Sequence, residues 1–238
     1  MKRQIKMKRK QLISVIIPVY NGKSYLADAI SSILKQKYQP LEIIVIDDGS
    51  TDESAELIKS FNTPVKYLYQ TNSGTAAARN FGIRSAKGSY LAFLDQDDLW
   101  AENKLNLQVS AFNNNEGLDA VFGQIKQFHS PEADELFKQN TLCPPSLMPG
   151  FLPSAMLIKR ESFFKVGFFE SSWKIGEWAD WFVQANEQEL NMKMLPELVA
   201  LRRIHTSNKG VLQRKSRIEY VHILKASLDR KRYQKIKE

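Results

Sequence analysis

Three carboxylates crowd the stretch FLDQDDLW (93–100), where Asp95, Asp97 and Asp98 directly follow the apolar run YLAF. So much negative charge at the end of a strand costs free energy unless something positive lies among the carboxylates. Two carboxylates separated by one residue can share a divalent cation, and oxygen ligands favour Mg²⁺ or Mn²⁺. Such a cation would bridge to a diphosphate. An EF-hand is excluded, because the loop lacks its glycine and its glutamate, and a purely structural acidic turn is the alternative.

A second acidic pair stands in VIDDGSTDES (45–54), where Asp47 and Asp48 end an apolar strand and Gly49 permits a sharp turn. Helix capping explains the nearby Asp52, but it does not require two aspartates at the end of the strand. In open α/β sheets, ligands bind at the carboxyl ends of the strands. We therefore interpret this pair as a nucleotide contact that accepts hydrogen bonds from a base or a ribose.

The segment TNSGTAAARNFGI (71–83) is typical of a helix that opens at Gly74, with Arg79 and Asn80 in its second turn. A helix N-terminus attracts anions, and arginine is well suited to phosphate. The segment thus indicates a phosphate contact. The alternative is that Arg79 pairs with one of the many aspartates.

The segment GEWADW places Glu177 and Asp180 three residues apart, on one face of a predicted helix. Trp178 and Trp181 flank them, and an apolar wall would raise the basicity of a carboxylate, as suits a general base. A first-turn acidic pair favoured by the helix dipole is the alternative interpretation.

His205 follows two arginines in LRRIHTSN, after a predicted strand. Near a metal and a diphosphate, this cluster would supply one nitrogen ligand and anion-binding guanidinium groups. A structural histidine is equally compatible with the pattern.

The elements that must position these residues alternate between strand and helix over the first hundred residues. Short apolar strands separated by amphipathic helices predict an α/β fold with a mainly parallel central sheet and helices on both faces. The second half is less regular, and residues 129–153 contain five prolines. We expect that segment to form a lid over the site.

The composition predicts one globular domain over residues 1–210, with a basic tail at 1–11 and a basic helical tail at 211–238. Of the 238 residues, 43% are apolar, enough for one sizeable core. Residues 1–10 carry six basic side chains and no acidic one, and residues 202–238 carry twelve against three. Such tails suit an anionic membrane face or nucleic acid. A solvated basic surface is the alternative.

The single cysteine, Cys143, excludes an internal disulfide and fits a reducing compartment. The apolar runs are of strand length, too short to span a bilayer, and no leader-peptide pattern is visible. We expect a cytoplasmic protein, with peripheral contact at the inner face of the membrane as a further expectation.

Four segments in register resemble the family-2 glycosyltransferases of the GT-A fold: VIIPVYNG (15–22), IIVIDDGSTD (43–52), TNSGTAAARNFGI (71–83) and LAFLDQDDLW (91–100). The resemblance thins beyond residue 120 to GEWADW and LRRIHTSN. It implies a Rossmann-like nucleotide-binding half and the inverting transfer of a hexose-type sugar from a nucleotide diphosphate donor, most commonly a UDP-sugar.

The resemblance also implies roles for individual residues. The donor pocket would comprise the following positions: Pro18, Tyr20, Asn21, Asp47, Asp48, Arg79, Asn80, Asp95, Arg202 and Arg203. Asp97 and His205 would hold Mn²⁺ or Mg²⁺ on the diphosphate. Glu177 or Asp180 would be the catalytic base, and the choice stays open because Trp178 stands where the family often carries the aspartate of a Glu-Asp pair. Gln184 likewise replaces an arginine that is usual in relatives.

Other function classes fit less well. A dinucleotide oxidoreductase needs G-x-G-x-x-G after the first strand, where this chain has PVYNG, and no phosphate-binding Gly-Lys-Ser/Thr loop is present. A non-catalytic module that binds a nucleotide sugar or an anionic surface is the main alternative, and Trp178 supports it. Nucleic acid is not expected as a partner, since only the tails favour it. A glycan, lipid-linked or peptide acceptor fits the family, as does a role in cell-envelope polysaccharide synthesis.

Overall fold

The computed structural model describes residues 11–61, 65–208 and 218–237. The predicted basic N-terminal tail, except Gln11, lies outside the described residues. So does the predicted boundary between residues 210 and 211.

The described chain alternates strands with helices. The strands are β1 (Ile13–Val19), β2 (Leu41–Asp47), β3 (Val65–Tyr69), β4 (Tyr90–Phe93), β5 (Leu99–Trp100), β6 (Ala120–His129), β7 (Met148–Pro149), β8 (Leu157–Lys159) and β9 (Met192–Ile204). The helices are α1 (Leu26–Leu34), α2 (Ser54–Ser60), α3 (Thr75–Ser85), α4 (Lys104–Asn114), α5 (Glu135–Asn140), α6 (Arg160–Val166), α7 (Glu177–Glu187) and α8 (Ile218–Lys237), with a short 3₁₀ helix at Pro153–Ala155.

The first four strands form a wholly parallel half-sheet in the order β3-β2-β1-β4. All seven residues of β1 are buried, as expected for a strand that is covered on both faces. Crossover helices separate these strands, so their carboxyl ends meet at one edge of the sheet. This half is the predicted nucleotide-binding part of an α/β fold.

The rest of the sheet is mixed. The order continues from β4 through β8, β6 and β9 to β5. Strand β8 is antiparallel to both β4 and β6, whereas β9 is parallel to β6 and antiparallel to β5. Residues 192–204 form the single strand β9. Parallel pairing therefore dominates in the first half only.

Helices cover both faces of the sheet, as predicted. Alternate β1 residues point to opposite faces: Val15 and Ile17 belong to a core cluster that includes Ile30 of α1, while Ile16 belongs to a second cluster that includes Ile83 of α3. Burying one such side chain contributes about 1.5–3 kcal/mol. The two clusters fix the helices around the strand ends.

Within the ranges that the structure describes, no helix combines the length and the hydropathy needed to cross a membrane.

Candidate active site

One cleft of about 910 Å³ opens at the carboxyl ends of β1, β2 and β4, beside the amino end of α3. It brings together nine of the residues predicted from the sequence: Pro18, Tyr20, Asn21, Asp48, Arg79, Asp95, Asp97, Glu177 and His205. Five others lie outside its lining: Asp47, Asn80, Asp180, Arg202 and Arg203.

The Asp47–Asp48 pair ties the loops around the cleft together. Asp48 is 3% exposed and accepts hydrogen bonds from the backbone N–H groups of Ser73 and Gly74, at 2.8 and 2.9 Å. Asp48 therefore occupies the anion position at the amino end of α3 where the sequence indicated a phosphate. It still borders the cleft, and Gln70 donates to its Oδ1 at 2.7 Å.

Asp47 faces away from the cleft. It accepts hydrogen bonds from the backbone N–H of Ser50 and from the hydroxyl of Tyr67, both at 2.8 Å. Burial, and then the bond to Asp47, raise the pKa of Tyr67 to about 12. The first aspartate of VIDDGS thus holds the turn in place, where Gly49 adopts a φ of +78°.

The end of β1 is joined to the acidic loop after β4 by a side chain that the sequence analysis did not single out. Gln96 Oε1 accepts from the backbone N–H of Tyr20 at 2.8 Å, and its Nε2 donates to the Tyr20 carbonyl at 3.0 Å. The Tyr20 side chain remains 49% exposed at the rim. Asn21 Oδ1 accepts from the backbone N–H of Thr51 at 2.8 Å. These bonds fix the side of the cleft that is formed by the end of β1.

Arg79 joins two carboxylates across the cleft floor. Its guanidinium donates to Asp95 Oδ1 at 2.6 Å and to Glu177 Oε1 at 2.9 Å, while its side chain is only 4% exposed. Burial alone would lower the pKa of Arg79, but the two carboxylates outweigh burial, and the pKa is raised. The alternative interpretation of Arg79, as a partner of an aspartate, therefore describes its contacts.

Asn80, next along α3, lies under the cleft. Its amide donates to the Phe169 carbonyl at 2.8 Å and accepts from the Phe169 backbone N–H at 3.0 Å. Both ends of the amide are thus used to hold the chain that leads into the loop before α7.

The three carboxylates of FLDQDDLW have different positions. Asp95 and Asp97 border the cleft, whereas Asp98 is 5% exposed and accepts from the Ser154 hydroxyl at 2.9 Å and the Arg203 backbone N–H at 3.1 Å. Burial, with the neighbouring Asp97 and Asp95 charges, raises the pKa of Asp98 well above its ordinary value. Asp98 therefore anchors the acidic loop to β9.

His205 lies directly against Asp97. Its Nε2 is 2.8 Å from Asp97 Oδ2, and Asn208 Nδ2 donates to the same oxygen at 3.1 Å. The other ring nitrogen, Nδ1, is 2.9 Å from the Ser207 hydroxyl. The predicted pair of Asp97 and His205 is thus brought together, although the residues are 108 positions apart.

These donors fit a metal that is shared with a diphosphate. In the described part of the chain, no group of three or more His, Cys, Asp and Glu side chains could hold an ion alone. Mg²⁺ in nucleotide sites is commonly held by one or two carboxylates, with phosphate oxygens and water completing the shell. One carboxylate and one imidazole at the cleft match that arrangement, and Mn²⁺ accepts both donor types.

The two predicted arginines of LRRIHTSN do not face the cleft. Arg203 lies between the rings of Tyr25 and Phe128, at 4.7 and 4.9 Å from their centroids, and its Nε donates to the Asp97 carbonyl at 3.1 Å. Arg202 is exposed to solvent. A cation that no pattern in the sequence singled out, Lys174 in the loop before α7, lines the cleft together with Arg79.

Glu177 and Asp180 share one helix face, but only Glu177 borders the cleft. Asp180 is 4% exposed and accepts from Trp173 Nε1 at 3.3 Å and from Gln184 Nε2 at 3.0 Å. Gln184, which departs from the family pattern, is therefore a direct partner of Asp180.

The two tryptophans expected as an apolar wall around the acids pack against each other and against neighbouring aromatic rings. The Trp178 and Trp181 rings stack at 5.4 Å, and Trp178 Nε1 donates to the Phe151 carbonyl. Both rings join the aromatic core beneath α7. The partner of Glu177 is Arg79 instead.

No residue of the proline-containing segment 129–153 lines the cleft. The segment includes α5 and β7, and Phe151 packs against Phe182 of α7 at 5.3 Å. Near the start of the segment, Glu132 accepts a hydrogen bond from the hydroxyl of Tyr25, which does line the cleft.

Comparison with known proteins gives one family. The model of "Glycosyl transferase family 2" matches residues 14–169. An uncharacterized glycosyltransferase of Nostoc sp. is 34% identical over 213 residues, which are 82% of this chain and 66% of that protein. An uncharacterized glycosyltransferase of Rickettsia typhi is 41% identical over 110 residues, 46% of this chain and 35% of that protein. This chain therefore spans about a third of the length of the Rickettsia relative.

Among solved structures, S. aureus TarS 1-349 in complex with UDP-GlcNAc aligns with a TM-score of 0.64 at 20% identity. The alignment covers 84% of this chain and 60% of TarS 1-349. At that identity the likeness establishes the fold, and the predicted GT-A architecture is confirmed.

Proposed function

The chain belongs to glycosyl transferase family 2, and from that premise we propose that it transfers a hexose-type sugar from a UDP-sugar to an acceptor hydroxyl with inversion. The observation that carries the proposal is the cleft itself. Asp95, Asp97, Glu177 and His205 come from distant parts of the chain and border one space at the strand ends, large enough for a nucleotide sugar.

We assign the base to Glu177. It borders the cleft, whereas Asp180 is buried among Trp173 and Gln184 and serves to position α7. Glu177 takes the proton of the acceptor hydroxyl, and the oxygen attacks the anomeric carbon from the face opposite the diphosphate. The new carbon–oxygen bond forms as the bond to the diphosphate breaks, and the electron pair leaves with the UDP oxygen.

Asp97 and His205 would hold a divalent cation, Mn²⁺ or Mg²⁺, at the cleft. Bound there, the cation would supply charge stabilisation to the leaving diphosphate. Lys174 contributes a second positive charge at the cleft, the role that the sequence assigned to Arg202 or Arg203. Asp95, held by Arg79, is left to meet the ribose or the sugar.

TarS binds UDP-GlcNAc, so UDP-N-acetylhexosamines are the first donors to test. We propose that the acceptor is a glycan, lipid-linked or peptide hydroxyl of the cell envelope. The reaction would take place in the cytoplasm, at the inner face of the membrane.

A donor-turnover assay tests the proposal: release of UDP from a panel of UDP-sugars, with Mn²⁺, by the full chain. We expect turnover with at least one donor, a loss of about a hundredfold or more in Glu177→Gln, and a smaller loss in Asp180→Asn. Binding of UDP without turnover of any donor would support the alternative, a non-catalytic module. The presence of Trp178 at the position where the family often has aspartate favours that alternative. Equal losses in both variants would contradict the assignment of the base.

A further inference from the structure

The C-terminal helix α8 packs through one face on the rest of the described chain and exposes an apolar stripe on another face. On the first face, Ile223 is 2% and Ser227 is 7% exposed. The Ser227 hydroxyl donates to Glu187 at 2.5 Å, and Arg230 Nε donates to the same carboxylate at 2.8 Å. This face fastens α8 to α7.

The same face also reaches the loop before α7. The carboxylate of Glu219 accepts from the Ile175 backbone N–H at 2.9 Å. Gly176 has a φ of +89°, and a Cβ there would lie 2.7 Å from Ile223 Cδ1. Ile223 therefore packs closely against the loop before α7. These contacts hold α8 in place, and the opposite face of the helix takes no part in them.

That opposite face is apolar and open to solvent. Val221, Leu224 and Leu228 are 56%, 60% and 56% exposed, at the i, i+3, i+7 spacing of one helical stripe. Ile218 and Tyr220, at 57% and 45%, extend the exposed apolar surface towards the amino end of the helix. Large side chains left exposed together on one stripe indicate a binding surface.

Cations flank the stripe. Lys225, Lys231 and Arg232 are exposed, and Asp229, which pairs with Arg232 at 3.7 Å, is the acid on this side of the described helix. The sequence of residues 230–238, RKRYQKIKE, carries five basic side chains and one acidic one. The apolar stripe with cations beside it is complementary in charge to the surface of an anionic bilayer.

We propose that α8 binds the surface of an anionic lipid membrane, with Val221, Leu224 and Leu228 in the headgroup region and the flanking cations on lipid phosphates. Charge complementarity selects lipid over an apolar protein groove, because each basic residue near an anionic surface adds attraction. The face used against α7 remains in contact, so binding needs no rearrangement of the fold. This inference does not depend on the proposed transferase reaction.

Vesicle flotation of the full chain tests the inference. Vesicles of phosphatidylcholine with about 30% phosphatidylglycerol are compared with pure phosphatidylcholine vesicles in about 0.1 M NaCl. We expect the wild-type chain to float with the anionic vesicles and to lose most of its binding at about 0.5 M NaCl, where charges are screened.

Two double variants separate the apolar and cationic contributions. Leu224→Ser with Leu228→Ser should lower the vesicle partition coefficient about tenfold or more. Lys231→Gln with Arg232→Gln should lower it about tenfold or more on anionic vesicles.

The matched control replaces two exposed leucines elsewhere, Leu136→Ser with Leu142→Ser, whose side chains are 71% and 86% exposed. This control variant should have a partition coefficient within about twofold of the wild-type value, since these leucines lie outside α8. Unchanged urea midpoints would show that all the variants are folded.

Three results would overturn the inference: no flotation of the wild-type chain, equal loss in the control, or no preference for anionic vesicles. Sedimentation velocity provides a further check. A dimer that the Leu224/Leu228 variant dissociates, without vesicle binding by the wild type, would assign the face to a second copy of the chain instead.

Discussion

Replacing Arg79 by methionine removes the cation that joins the two sides of the cleft. The guanidinium contacts Asp95 and Glu177 at 2.6 and 2.9 Å, and the side chains of these acids are 34% and 11% exposed. Removing one member of a buried pair costs about 3–5 kcal/mol, because the other charge stays buried without a partner. Asp95 is one third exposed, so water screens its interaction with Arg79. The contribution of this pair is therefore closer to the value of about 1 kcal/mol or less that is found for surface pairs. We expect Arg79→Met to lower the free energy of unfolding by about 3 kcal/mol, mostly through Glu177.

Urea unfolding of the full chain, followed by tryptophan fluorescence at about pH 7.5, measures this loss. The matched control is Arg84→Met on the same helix. Arg84 is exposed, and its guanidinium lies 5.4 Å from the Phe168 ring centroid. A surface change of this kind should cost about 0.5 kcal/mol or less.

A double-mutant cycle identifies the cause. Glu177→Gln should recover about 1 kcal/mol or more when added to Arg79→Met, because the neutral amide removes the unpaired buried charge. The same substitution in the wild type should not stabilise the protein. A loss below about 1 kcal/mol for Arg79→Met, or strictly additive effects in the cycle, would refute the view that Arg79 compensates these two acids.

Other described residues give further tests. Burial lowers the pKa of Lys104 well below its ordinary value. At a pH between the folded and the unfolded pKa values, the unfolded chain therefore binds more protons than the folded chain. The free energy of unfolding then rises with pH. Urea unfolding at about pH 7.5, 8.5 and 9.5 should show the wild type gaining up to about 1.4 kcal/mol per pH unit over Lys104→Met, and parallel profiles would contradict this. Asn80→Ala leaves the backbone N–H and C=O of Phe169 without their partner and should lower the free energy of unfolding by about 2–3 kcal/mol. A loss below about 0.5 kcal/mol in urea unfolding would show that the amide is not needed. Tyr67→Phe removes the 2.8 Å bond to Asp47 and should cost about 1–2 kcal/mol in the same assay, and no change would mean that Ser50 alone holds this carboxylate.

The strand ends were predictable because their signals are local. Ile13–Val19 and Leu41–Asp47 are apolar runs of strand length, and each is followed by a polar turn. Parallel strands joined by crossover helices have their carboxyl ends at the same edge of the sheet. This alone predicts that Asp48 and Asp95 lie at one edge. The four motifs in register added the family and, through it, the pairing of Asp97 with His205.

What the sequence did not show depends on where side chains point. Arg203 carries the same charge as Lys174, but the pleat of β9 turns Arg203 inward between two aromatic rings, and only Lys174 faces the cleft. Asp98 differs from Asp97 by one position, yet it anchors the acidic loop to Ser154 and the Arg203 backbone. Trp178 and Trp181, which the sequence placed as an apolar wall around the acids, stack on each other in the core. Such contacts join residues that are far apart in the chain.

Calorimetric titration with UDP, with and without Mn²⁺, tests the central claim most directly. The titration is run on three proteins: the wild-type chain, Asp97→Asn and the control Asp134→Asn. Asp134 is exposed at the start of α5 and does not line the cleft. We predict that Mn²⁺ strengthens UDP binding about tenfold or more in the wild type and the control, and that Asp97→Asn loses this dependence. UDP binding that is equal with and without Mn²⁺ in the wild type, or no UDP binding at all, would contradict a nucleotide–metal site at FLDQDDLW.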